Sequence, residues 1–307
     1  MISVIISAYR EDLSVFEAAV SSILEQKGLD TELVLALDDP NNQELLSWVD
    51  NNLQGNPNVV VVKNETNLGL ARSLNHALEY ASGEYIARMD ADDIAAPDRL
   101  ETQLSYLLEH GLDLIGGRMN VMSEQGTILY TTPELPQSPE KVRTALRWNN
   151  CLPHPTWFGK RTVFAQQYRD IPLCEDYDFQ IRAALNGFKL GNSQDVVLNY
   201  RLSDTGLSRS NLFRQYLYQR YITKEYRQGK VSHIEDAREY VDRKFSETRA
   251  QKYSIANDAF QKALNDLSNK KLGSALAQGM KSAFSSADYT DKIRRLVLAS
   301  LYARIDK

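Results

Sequence analysis

Gly83-Glu84-Tyr85-Ile86-Ala87-Arg88-Met89-Asp90-Ala91-Asp92-Asp93-Ile94-Ala95-Ala96-Pro97 is an apolar run that stops at three carboxylates. Residues 85–89 read as a buried strand. In an extended or turning chain Asp90 and Asp92 point to one side, with Cα atoms roughly 7 Å apart. Two like charges at a strand end repel unless a cation lies between them. An all-oxygen site suits Mg²⁺ or Mn²⁺, which takes a few carboxylates and completes its shell with water and phosphate. The competing reading is a solvated acidic turn ahead of a helix that starts near Pro97.

Strand and helix signals alternate on the N-terminal side of this stretch. Residues 2–8 are apolar and β-branched, and residues 14–26 place Phe16, Val20, Ile23 and Leu24 on one helical face. A second strand over 32–37 ends at Asp38-Asp39-Pro40 and leads into a helix over 41–53. A third strand, 58–62, precedes a helix over 68–81, and the carboxylates are followed by a helix over 97–110. This alternation predicts a mostly parallel sheet flanked by helices, with ligands at the carboxyl ends of its strands. Ala8, Tyr9, Asp38, Asp39, Asp90, Asp92 and Asp93 all fall at those ends. Beyond residue 112 the pattern changes to a hairpin (114–122 with 127–131), a helix over 139–148, a strand over 156–160, a helix over 175–186 and a strand over 195–201. From Asn211 onward the pattern is helical or amphipathic. Three regions are expected: 1–110 and 111–210 as two halves of one domain, and 211–307 as a helical extension.

Composition narrows the class. The chain has 307 residues, of which 43% are hydrophobic and 25% charged, as in a water-soluble globular protein. Its two cysteines, Cys151 and Cys174, have no metal-ligand spacing and read as reduced thiols in a cytosolic protein. The N-terminal apolar run lacks a basic leader and reads as a first strand, not a signal peptide. Net charge is −4 overall but divides into −12 over residues 1–210 and +8 over 211–307. The acidic body excludes a nucleic-acid groove there, and the basic tail suits an anionic partner.

Four further segments hold chemistry. Asp38-Asp39 at a strand end can accept hydrogen bonds from a base or ribose, and is equally an ordinary turn composition. Arg72, early in its helix, can pair with a diphosphate or sit in solvent. Glu175 and Asp176 open a helix, where acidic residues complement the dipole by about 0.3–1 kcal/mol. A carboxylate there can also serve as a general base. His154, between two prolines, can approach a metal or be a satisfied loop histidine.

In order and spacing these segments resemble the family 2 glycosyltransferases with the GT-A fold. The segments that carry the resemblance are residues 3–9, Leu37-Asp38-Asp39, Asn67-Leu68-Gly69-Leu70-Ala71-Arg72, 83–97 and Glu175-Asp176-Tyr177-Asp178. The resemblance implies inverting, non-processive transfer of a sugar from a nucleotide-diphosphate donor to an acceptor hydroxyl. The donor would be a UDP-linked hexose or N-acetylhexosamine, and the acceptor a saccharide or lipid-linked glycan of cell-surface polysaccharide synthesis. Tyr9 and Asp39 would line the nucleobase pocket, with Ala8 and Asp38 beside them, and Arg72 would hold the diphosphate. Asp90 would touch ribose and metal, with Ala91 adjoining. Asp92 would be the main ligand of Mn²⁺ or Mg²⁺, with His154 as a weak further ligand. Asp93 would contact the donor or cap the following helix. Asp176 would be the base, supported by Glu175.

The chain departs from the family pattern in having Asp-Asp-Pro-Asn where Asp-Asp-Gly-Ser is usual. It also has Ser7-Ala8-Tyr9-Arg10 at the end of the first strand. The Gln-x-x-Arg-Trp signature of processive synthases is absent. A nucleotidyltransferase would need a glycine-rich loop after the first strand, and residues 7–12 contain no glycine. A non-catalytic sugar-binding module is the other alternative.

The tail interleaves aromatics with Arg over residues 212–221. It also aligns Ile293, Leu296, Val297, Leu301 and Ile305 on one face, flanked by Lys292, Arg294, Arg295 and Arg304. Such helices suit an anionic membrane interface, which would make the protein peripheral at the inner face of the plasma membrane. Packing on the body or on a second copy in a homodimer is the alternative.

Overall fold

The computed structural model describes residues 1–202, 211–268 and 270–304. The N-terminal half alternates as the hydrophobic pattern predicts: β1 Ile2–Ala8, α1 Leu13–Leu24, β2 Thr31–Leu37, α2 Gln43–Asn52, β3 Val59–Lys63, α3 Leu70–Tyr80 and β4 Tyr85–Asp90. A two-residue β5, Ile94–Ala95, then precedes α4, Arg99–Glu109. The second half runs β6 Leu114–Met122, β7 Ile128–Thr131, α5 Pro139–Leu146, β8 Phe158–Lys160, α6 Arg161–Phe164, α7 Glu175–Leu185 and β9 Leu190–Arg201. Among the described residues five helices follow: α8 Leu212–Arg227, α9 Ile234–Lys244, α10 Glu247–Ser268, α11 Leu272–Ser285 and α12 Ala287–Arg304.

One sheet holds all these strands in the order β3-β2-β1-β4-β8-β6-β9-β5, with β7 paired to β6. The first four are parallel, and their register aligns their ends. Ser7 lies opposite both Ala36 and Asp90, and Ala8 lies opposite Leu37. Residues 9, 38–39 and 90–93 therefore leave the sheet along one edge. Central strands buried on both faces explain the continuous apolar runs. Beneath one face lie Phe16, Val20 and Leu100 of α1 and α4, and beneath the other Leu74, Tyr177 and Phe179 of α3 and α7.

The sheet departs from a simple parallel order in its second half. β8 runs antiparallel between β4 and β6, while β9 lies parallel to β6. β9 begins at Leu190, five residues earlier than expected. The short β5 pairs with β9, Ile94 opposite Asn199. This pairing delays α4 to Arg99 and binds the carboxylate turn to a strand more than a hundred residues away. Gly83 permits the tight entry to β4: an added Cβ would lie 2.6 Å from the Ser3 nitrogen.

In the C-terminal helices the aromatic part of the tail takes the packing alternative. Phe213, Tyr216, Leu217, Tyr218 and Tyr221 of α8 are buried, and Tyr253 packs its ring 5.3 Å from Tyr216 and 5.1 Å from Tyr289. The aromatic and Arg interleaving over 212–221 thus builds an internal core. Arg295, expected to flank a membrane face, is buried, with Nε donating to Trp148 O at 2.9 Å and Nη2 to Thr223 Oγ1. Ile293 and Leu296 are half-buried, Val297 and Leu301 exposed, and Ile305 lies outside the described residues. Among the described residues, no helix is long and apolar enough to cross a membrane. Cys151 and Cys174 are both free thiols.

Candidate functional site

At the end of β4 the three carboxylates converge. Asp90, Asp92 and Asp93 each offer an oxygen within 4.8 Å of the others. Asp90 is half-buried and held by both terminal nitrogens of Arg88, Nη1 at 3.0 Å and Nη2 closer. Arg88 itself is 1% exposed, because its position on β4 points it beneath the edge. Asp92 is pushed up to about 7 by burial, then by the charges of Asp90 and Glu11. Asp93 is fully buried and raised well above the usual carboxylate range by burial, then by the charges of Asp90 and Asp92. Its Oδ1 accepts from Arg201 N at 2.8 Å, while Oδ2 has no partner among the described residues. Asp93 therefore does not cap a helix at Pro97; the cap position of α4 is Asp98. An all-oxygen set, crowded and desolvated with one oxygen unpartnered, has the chemistry of a hard divalent cation site.

The β1 and β2 ends provide the second wall. Asp38 is 3% exposed and committed to the β3–α3 loop: Oδ1 accepts from Asn64 Nδ2 (2.7 Å) and Leu68 N (2.8 Å), Oδ2 from Gly69 N (2.9 Å). Gly69 has φ +78°, a conformation glycine adopts without a Cβ penalty, and it opens α3. Asp38 is thus a latch for the β3–α3 loop. Asp39 pairs with the exposed Arg10 (Nε to Oδ2, 2.8 Å) and accepts from Asn41 N at 3.0 Å, so its carboxyl lies below its ordinary range. Arg10 also stacks over the Tyr9 ring at 4.7 Å. Ala8 and Ala91 are buried, which leaves their backbone for any ligand contact. Arg72, expected at the diphosphate, is exposed and paired with Asp170 at 3.0 Å.

Opposite the metal-type cluster, Glu175 and Asp176 begin α7. Glu175 is pushed up to about 7 by burial and by Asp176, and Asp176 is raised by burial. Asp176 accepts from Asn150 Nδ2 at 2.5 Å and from Tyr177 N at 2.7 Å, which fixes the carboxyl in place. The positive charge of Arg88 acts on both residues, while Asp90 opposes ionisation of Glu175. One buried guanidinium therefore lies within electrostatic reach of both acidic groups. Leu173, two residues before Glu175, has φ +64°, a strained conformation of the kind found where side chains are aimed at a site. His154 lies outside the group of carboxylates that could hold a metal. Its Nε2 lies 3.0 Å from the Tyr168 hydroxyl, its ring packs 4.5 Å from Trp157, and burial holds it well below the ordinary histidine range.

Besides Arg88, four residues of this site escaped sequence reasoning. Glu11 accepts from Tyr9 N at 2.7 Å and adds a negative charge near Asp90 and Asp92; its place just after β1 was the available signal. Asn150 had no signal, because its role depends on the chain returning beside α7. Tyr200 is pushed upward by burial and by all three aspartates. Arg201 ties Nε to Asp92 O at 2.9 Å and Nη1 to Glu124 O at 2.6 Å. Both reach the cluster through the β5–β9 pairing.

Comparisons with known proteins bear on the family and the fold. The family described as Glycosyl transferase family 2 matches residues 3–166. An uncharacterized glycosyltransferase of Methanocaldococcus jannaschii, MJ1057, is 30% identical over 75% of this chain and 80% of its own length. The O-antigen biosynthesis glycosyltransferase WbnJ of Escherichia coli is 30% identical over 73% of this chain and 91% of its own. The crystal structure of S. aureus TarS residues 1–349 with UDP-GlcNAc shares the fold, with TM-score 0.60, 17% identity, and coverage of 93% of this chain and 92% of that one.

Proposed function

The chain belongs to glycosyltransferase family 2, and from that premise we propose that it transfers one sugar, with inversion, from a nucleotide-diphosphate sugar to an acceptor hydroxyl. The acceptor is a saccharide or a lipid-linked glycan in the assembly of a cell-surface polysaccharide. The name of the E. coli relative supports the pathway class, and the TarS complex supports a UDP-linked hexose or N-acetylhexosamine as donor.

The observation that carries this reading is the pairing of two acidic groups around Arg88. One is the oxygen set Asp90, Asp92 and Asp93; the other is Glu175 with Asp176. In this reading Asp92 and Asp90 hold Mn²⁺ or Mg²⁺, which supplies compensation for charge developing on the diphosphate. Asp39 and Tyr9 receive the nucleoside. Arg88 keeps the Asp90 carboxylate aimed at the edge. Asp176 takes the proton of the acceptor hydroxyl as the acceptor oxygen bonds to the anomeric carbon. The bond from that carbon to the diphosphate oxygen breaks with its electron pair on the diphosphate. Burial raises the basicity of Asp176, and Glu175 shares its low-dielectric pocket. Asn150 holds the base in place.

A screen of nucleotide sugars with Mn²⁺, read by thermal shift and by nucleotide release, tests the proposal. One donor is expected to stabilise the protein and release its nucleoside diphosphate. A folded protein that neither binds nor turns over any of them would overturn it.

A further inference from the structure

The α10–α11 hairpin presents an apolar stripe that no element of the described chain covers. On α11, Leu272, Leu276, Met280 and Phe284 recur every four residues and are 68%, 67%, 51% and 88% exposed. That spacing lays them along one side of the helix over about 18 Å. The side facing α10 is made of small residues: Ala275 and Gly279 are half-buried, and Ser282 is buried with its hydroxyl donating to Ala256 O at 2.8 Å. Close packing through small side chains leaves the large ones pointing outward. Leu264 and Leu267, in the last turns of α10, are exposed as well. A cluster of this kind marks an interaction surface, where singly scattered apolar residues would not.

Between residues 262 and 285 the exposed charges flanking the stripe have one sign, the exposed Asp258 of α10 lying beyond that range. Lys262, Lys270, Lys271 and Lys281 are exposed. Asp266 is the one carboxylate between residues 262 and 285, and it is buried, accepting from the Ser274 hydroxyl at 2.6 Å. Large apolar side chains bordered by cations complement a surface with an acyl interior and anionic headgroups, and lysine stems span that boundary. A symmetric contact between two copies would instead set these lysines against one another.

We propose that the α10–α11 hairpin docks the protein on an anionic lipid surface, with Leu272, Leu276, Met280 and Phe284 among the acyl chains and Lys270, Lys271 and Lys281 at the headgroup phosphates. This places membrane contact on a different part of the tail from the 212–221 and 293–305 segments, the first of which packs inward. It stands apart from the transfer reading, since vesicle binding needs no donor or acceptor.

The test is co-sedimentation of the full chain with vesicles of phosphatidylcholine alone and with one third phosphatidylglycerol, at low salt. The protein is expected to pellet with the anionic vesicles and to stay in the supernatant with the neutral ones. Leu276→Glu with Phe284→Glu should abolish pelleting. Replacing Lys270, Lys271 and Lys281 with Ala should lower the partition coefficient on the order of a hundredfold, at about fivefold per lysine. Circular dichroism and donor hydrolysis of both variants should match the parent, since all five side chains are exposed and outside the site. Equal pelleting of parent and Glu variant would overturn the proposal. So would a concentration-dependent dimer that the Glu variant dissolves, because the stripe would then belong to a second copy.

Discussion

Asp38→Asn separates two neighbouring carboxylates that look equivalent in the sequence. Asp38 accepts three hydrogen bonds at 2.7, 2.8 and 2.9 Å from Asn64, Leu68 and Gly69 while 3% exposed. An asparagine offers one oxygen, so at least one buried N–H then faces an NH₂ group. A charge-assisted hydrogen bond contributes about 1.5–3 kcal/mol, and an orphaned buried donor costs about 1–3 kcal/mol. These overlap, so the expected loss is about 2–4 kcal/mol, or roughly 5–10 °C in melting temperature for a domain of this size. Asp39→Asn removes a partner of the exposed Arg10 and of Asn41 N, and should leave the melting temperature near the parent value. Differential scanning fluorimetry and calorimetric titration with a uridine nucleotide and Mn²⁺ read the two effects. Asp38→Asn should melt early yet bind within about threefold of the parent when cold, whereas Asp39→Asn should keep its melting point and lose about five- to tenfold in affinity. An Asp38→Asn protein with parental melting and no nucleotide binding would refute the assignment of Asp38 as a latch.

Asp176→Asn should lower kcat about 10²- to 10⁴-fold with the donor KM little changed, as loss of a general base predicts. Unchanged kcat in a single-turnover assay would exclude it as the base. Asp92→Ala and excess chelator should each suppress transfer, and full turnover in EDTA would sink the metal assignment. Glu175 titrates near 7 in the fold against 4.5 for a free glutamate, so the folded state holds its proton more tightly. Its contribution to stability is complete below about pH 4.5 and is lost as pH rises through 7. Glu175→Gln should therefore raise the melting temperature at pH 8 while slowing transfer; a lower melting temperature there would contradict this. Transfer by the parent should rise with pH through the same interval, since the acidic pair acts ionised.

Residues whose partners lie nearby in sequence, or whose pattern repeats, were legible beforehand. The alternation 2–8, 14–26, 32–37 and 85–89 follows from side-chain periodicity, and the parallel sheet from that alternation. The carboxylates fall at strand ends because the apolar runs stop there. What misled was polarity without context. His154 sits between prolines like an active-site loop residue, yet Tyr168 and Trp157 enclose it. Arg295 belongs to a basic stretch but is spent on Trp148 O. A charged side chain looks free in a sequence until a distant backbone carbonyl is brought to it.

By itself, the sequence determined the α/β alternation, the edge at which the parallel strands end, and the residue types there, Asp90, Asp92 and Asp93 among them. These are matters of period and local stop signals, which no distant contact alters. Tertiary structure decided the division of labour. Packing withdrew Asp38 into a backbone latch, buried Asp93 against Arg201, and set Arg88 beneath Asp90 within reach of Glu175. It also turned the aromatic tail inward and left the α11 stripe outside. Desolvation and pairing depend on which remote segments meet, and those meetings arise from strand register and helix packing, quantities that no single stretch of chain contains.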